Sequence, residues 1–96
     1  MSVENLNSSG SEAAVATPEP RRESDNHLLW HLLKIADGYR ADGSIRQARE
    51  IYFMLAEEHG DSPEAEQARG RLMEIAEAYE QAGELRQARG IYERLL

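Results

Sequence analysis

Two stretches decide the fold: Leu32–Ala56, LLKIADGYRADGSIRQAREIYFMLA, and Leu72–Leu96, LMEIAEAYEQAGELRQARGIYERLL. Shifted by forty residues they agree at Leu32/Leu72, Ile35/Ile75, Ala36/Ala76, Tyr39/Tyr79, Gly43/Gly83, Arg46-Gln47-Ala48-Arg49 over Arg86-Gln87-Ala88-Arg89, Ile51/Ile91, Tyr52/Tyr92 and Leu55/Leu95, twelve of twenty-five positions. Average residue usage would produce only about one or two such matches. In each copy the apolar residues recur at steps of three and four, break at a glycine, and resume. Each copy is therefore a helical hairpin, a unit that cannot bury its apolar face alone and must stack on a neighbour.

Working outward, Ser24, Asp25 and Asn26 are N-cap-competent residues ahead of a dense apolar run, which predicts a first helix over about residues 25–42. Leu28, Leu32, Ile35, Ala36 and Tyr39 form its expected buried stripe, and Gly43 its left-handed stop. A second helix follows on Ile45, Ala48, Ile51, Tyr52, Leu55 and Ala56, with Arg46, Gln47, Arg49 and Glu50 on the opposite face, and Gly60 ends it. Asp61-Ser62-Pro63-Glu64 supplies a side-chain cap, a proline in the first turn and an acid at the positive end of the dipole. The third helix runs over about residues 63–82 through Ala68, Leu72, Ile75, Ala76 and Tyr79 to Gly83, and the fourth, from about Glu84, carries Leu85, Ala88, Ile91, Tyr92, Leu95 and Leu96. Small Ala48 and Ala88 mark close approach of paired helices, with Tyr39, Tyr52, Tyr79 and Tyr92 as the bulk between them. The expected fold is all-α: two stacked antiparallel hairpins, repeat 1 over about 25–60 and repeat 2 over about 62–96, forming one domain from residue 24. Residues 1–23 hold Ser2, Ser8, Ser9, Gly10, Ser11, Pro18, Pro20 and few apolar residues, the composition of a disordered tail.

At Leu32, Ile35, Ala36, Tyr39, Gly43, Ala48, Tyr52 and Leu55, and again at Leu72, Ile75, Ala76, Tyr79, Gly83, Ala88, Tyr92 and Leu95, the chain resembles the tetratricopeptide repeat family. Asp61-Ser62-Pro63-Glu64-Ala65 is similar to the linker of the family's bacterial, long-period variants. The resemblance implies a fragment of an α-α superhelix with a concave ligand face. The period of forty exceeds the usual one of about thirty-four, which implies longer first helices. Leu32 stands where the family favours tryptophan, with Trp30 two positions earlier. Carried onto this chain, the family's ligand face falls on Trp30, Leu33, Asp37, Arg40 and Ala41, then Gly70, Met73, Glu77, Glu80 and Gln81. Trp30, Leu33 and Met73 would form an apolar floor and Arg40 would stand beside Asp37, Glu77 and Glu80. Core packing is the competing reading for Trp30 and Leu33.

A net charge of −7, from eighteen acids and eleven bases, repels phosphate backbones and anionic membranes, so neither nucleic acid nor membrane is expected as a partner. With no cysteine there is no disulfide and no thiolate metal site to support a small core. Neither an apolar run long enough to span a bilayer nor a secretion-type leader at Met1–Gly10 appears, which makes the cytoplasm the expected location. His27 and His31 share a helical face at metal-chelating spacing, but no neighbouring Cys or second HxxxH supplies a third ligand, only Asp25 or Glu23 as an oxygen donor, and no metal or cofactor is expected. Glu57-Glu58, Glu64 with Glu66, and Glu74 with Glu77 are expected on solvated helix faces where nothing in the pattern desolvates them, and no nucleophile-base pair or phosphate loop is present, so catalysis is not expected. Arg46, Arg49, Arg86 and Arg89 read either as intrahelical partners of residues such as Glu50 and Glu93 or as a ridge for an acidic partner. The expected function is protein–protein interaction, as an adaptor or small chaperone holding a partner helix or peptide; the alternative is a self-assembling structural module. Leu85, Ile91, Leu95 and Leu96 exceed what one hairpin can cover, which predicts a homodimer through the C-terminal hairpin.

Overall fold

The computed structural model describes the backbone from Glu19 and the side chains from His27, both to Leu96. Residues 1–18, and with them the expectation of a disordered tail there, lie outside the described residues. Four helices follow one another: α1 (Glu19–Ala41), α2 (Ile45–Glu58), α3 (Pro63–Gln81) and α4 (Leu85–Leu95). α1 packs on α2, α2 on α3 and α3 on α4, and α1 also reaches α3, so two antiparallel hairpins stack side by side. α1 starts at Glu19, ahead of the expected position, which places Pro20 in the first turn, where its missing N–H removes no helical bond.

The two hairpin turns are built alike because the same glycine closes both. Gly43 and Gly83 have φ of +85° and +81°, a region L side chains rarely enter. Gly43 N–H bonds Arg40 C=O at 3.0 Å and Ser44 N–H bonds Tyr39 C=O at 2.8 Å; Gly83 to Glu80 and Glu84 to Tyr79 repeat these distances. Each is a Schellman closure that satisfies the last carbonyls of a helix and turns the chain at once into the next. Between the hairpins, Ser62 Oγ accepts from Ala65 N–H at 3.0 Å and donates to His59 C=O at 2.7 Å. One hydroxyl thus caps α3 and ties it to the end of α2.

The core joins Leu29, Leu33 and Ala36 of α1 with Ala48, Tyr52, Phe53 and Leu55 of α2, Ala68, Leu72, Ile75 and Ala76 of α3, and Ala88 and Ile91 of α4. The expected stripe of α3 is in place, with Tyr79 partly buried against the cluster. The stripe of α1 is rotated from the expected one. Leu28, Ile35 and Tyr39 are 58%, 50% and 40% exposed, while Leu29 and Leu33 are inside. α1 has apolar residues on two adjoining stripes, and α2 covers only one of them. Phe53, outside the expected stripe of α2, is 2% exposed: it joins the core cluster, and the Arg94 guanidinium lies 4.1 Å above its ring. At the other end Leu85 and Leu96 are exposed, Leu95 is partly covered and Ile91 is buried.

Candidate functional site

The α1–α3 face carries a polar lattice assembled by the stacking of the hairpins. Asp37, one turn before the end of α1, accepts from the Tyr52 hydroxyl of α2 and from Arg71 of α3, through Nε at 3.1 Å and Nη2 at 3.4 Å. One turn on, Arg40 Nη1 donates to Glu74 Oε1 at 2.8 Å. Both bridges span 34 residues, so they report one constant offset between α1 and α3. Partial burial acts to raise the Asp37 pKa, but hydrogen bonds from Arg71 and Tyr52 outweigh it and hold the carboxyl below its ordinary 3.8. Burial, reinforced by the Asp37 bond, pushes the Tyr52 phenol far above its ordinary 10.0, so it stays a donor. The ion pairs of the lattice tie α1 to α3, and the Tyr52 hydroxyl ties α1 to α2.

Trp30 stands on the same face, two turns before Asp37, and is 44% exposed. Its ring is stacked beside His27, edge-on to His31 at 5.1 Å, with Lys34 Nζ 5.6 Å from the ring centre. His27 and His31 bring their Nε2 atoms to 3.1 Å, and among the described residues no group of three or more His, Cys, Asp or Glu is placed to hold a metal.

The residues expected on the ligand face therefore separate. Trp30 and Met73 are open, at 44% and 43% exposure. Leu33 is 1% exposed and belongs to the core, which corrects its placement on an apolar floor: it shares a buried stripe with Leu29, four residues earlier. Asp37 and Arg40 lie on the face but are engaged by Tyr52, Arg71 and Glu74. Glu77 is exposed, and Glu80 accepts from the Tyr92 hydroxyl at 3.0 Å. Tyr52, Arg71 and Glu74 were not expected there. The stacking offset that brings them in is invisible until the helices pack.

On the α2–α4 side, Arg46, Arg49, Glu50, Phe53, Gln87 and Arg94 line a shallow cleft of about 290 Å³. Arg94 is held by Glu57 at 2.7 and 3.1 Å and Arg49 lies over the Tyr79 ring, while Arg89 pairs loosely with Glu93 at 3.8 Å. Of these arginines, Arg94 is the one firmly engaged within the protein, by its two-point pairing with Glu57. Among the described residues no helix is long and apolar enough to cross a membrane. No protein-family model, curated protein or solved structure matches the chain.

Proposed function

We propose that this chain is a tetratricopeptide-like protein-interaction module, an adaptor or small chaperone, that holds a helix or extended segment of a partner protein across the α1–α3 face. The observation that carries the reading is the chain's one tryptophan, Trp30, left 44% exposed beside the lattice that joins the hairpins. A large aromatic ring held by flanking side chains is the residue type that most often anchors a partner, since it buries much area for little lost rotamer freedom. Two turns further along α1 the Asp37–Arg71 and Arg40–Glu74 pairs add a polar stretch to the face, and Glu77 and Glu80 favour a segment carrying basic residues. No catalytic step belongs to the proposal.

Affinity capture from the source cell with the full chain, compared with Trp30→Ala, tests it. A protein retained by the wild type and lost with Trp30→Ala is expected, and titration of that purified protein should shift the Trp30 fluorescence. Truncation of a central anchor costs about 2 kcal/mol or more, roughly thirtyfold in Kd. Equal retention by both chains refutes the site.

A further inference from the structure

The internal repeat makes the α2–α3 contact a template, because the chain repeats both sides of that contact and leaves the second set uncovered. On the leading side, Ile75 is 4% exposed and Tyr79 is packed against the core, whereas their counterparts Ile35 and Tyr39 on α1 are 50% and 40% exposed. On the trailing side, Leu33 is 1% exposed, but its counterpart Met73 is 43% exposed. Likewise Ile45 is partly buried, and its counterpart Leu85 is 64% exposed. Each end thus displays the half of an interface whose other half lies at the opposite end.

The charges follow the same translation. Inside the chain Arg40 of α1 bonds Glu74 of α3; shifted by forty residues, Glu80 of α3 meets Lys34 on α1 of a following copy. The signs are reversed and still opposite. The Asp37–Arg71 bridge becomes Glu77 against His31, again an acceptor against a ring that can donate. Arg49 over the Tyr79 ring becomes Arg89 over Tyr39. The counterpart of Trp30 is Gly70, where an added Cβ would meet nothing within 4 Å, so the register leaves open space at the root of this side chain.

We propose that copies of this chain stack head to tail, the α3–α4 hairpin of one against α1 of the next, in the register that α2 and α3 adopt within the chain. The occupant of the exposed α1 face is a second copy. Such a contact is heterologous and uses different surfaces on the two molecules, unlike a two-fold pairing of C-terminal hairpins. It involves the ends of the hairpin stack and does not depend on the Trp30 reading.

Sedimentation equilibrium of the full chain from about 1 to about 300 µM reads the association directly. The weight-average mass should climb with concentration past twice the 10.8 kDa of one chain. Ile35→Asp should keep the helical circular dichroism spectrum and abolish the rise. Lys34→Glu and Glu80→Lys should each move the onset to about tenfold higher concentration, and their equimolar mixture should restore the wild-type onset, because each reversed end then meets its complement. A single-chain mass throughout overturns the proposal. So does association that survives Ile35→Asp, or a mixture no better than its components, either of which places the contact elsewhere.

Discussion

Ile75 and Ile35 occupy the same place in the two repeats, and replacing each by alanine separates what the repeat dictates from what packing decides. Ile75 is 4% exposed and Ile35 50% exposed. Isoleucine to alanine removes three carbons, about 2.4 kcal/mol of transfer free energy at full burial and about half that where the side chain is half wet. At Ile75 the cavity left between α2 and α3 adds about 1 to 2 kcal/mol, whereas at Ile35 solvent fills the space. Alanine's higher helix propensity, worth about 0.4 kcal/mol, favours both variants equally and cancels from the comparison. Ile75→Ala should therefore cost about 2 to 3 kcal/mol more than Ile35→Ala. Urea denaturation followed by circular dichroism, at a few micromolar to keep chains apart, would show the difference as a midpoint lower by about 1 to 2 M in Ile75→Ala. Equal midpoints would refute the assigned α1 face, and a larger loss at Ile35 would mean that something covers that face in the single chain.

Ser62→Ala removes the cap on Ala65 and the tie to His59 and should cost about 1 kcal/mol, read as a lower urea midpoint with unchanged slope. Gly83→Ala, at φ +81°, should cost about 1 kcal/mol or more, with Gly83→Asn milder because asparagine tolerates the left-handed region; the thermal melts of the pair check it. Because the folded pKa of Asp37 lies below its unfolded value, its contribution is complete above about pH 4 and is lost as pH falls through the folded pKa. Asp37→Asn should therefore be less stable than wild type at pH 7, and the gap should narrow on acidification; a gap constant from pH 7 to pH 3 would remove Asp37 from the lattice.

The sequence alone determined those features whose causes are local. Gly43 and Gly83 end helices because only glycine enters the left-handed region freely, and Ser62-Pro63 starts one because the hydroxyl and the ring act within a single turn. The buried stripe of α3 was legible too, since Leu72, Ile75, Ala76 and Tyr79 stand opposite polar residues and admit one rotation. α1 was ambiguous. Leu28, Leu29, Leu32 and Leu33 fall on two neighbouring stripes a fraction of a turn apart, and helical periodicity cannot choose between them. Tertiary packing chose Leu29 and Leu33, because α3 has α2 and α4 as packing partners whereas α1 meets α2 and, more lightly, α3. The same packing placed Leu33 in the core, drew Phe53 under Arg94 and brought Tyr52 and Arg71 to Asp37. Those pairings depend on the offset between helices that are not bonded to one another, a quantity set by how side chains interlock across the contact and by nothing within one turn of chain.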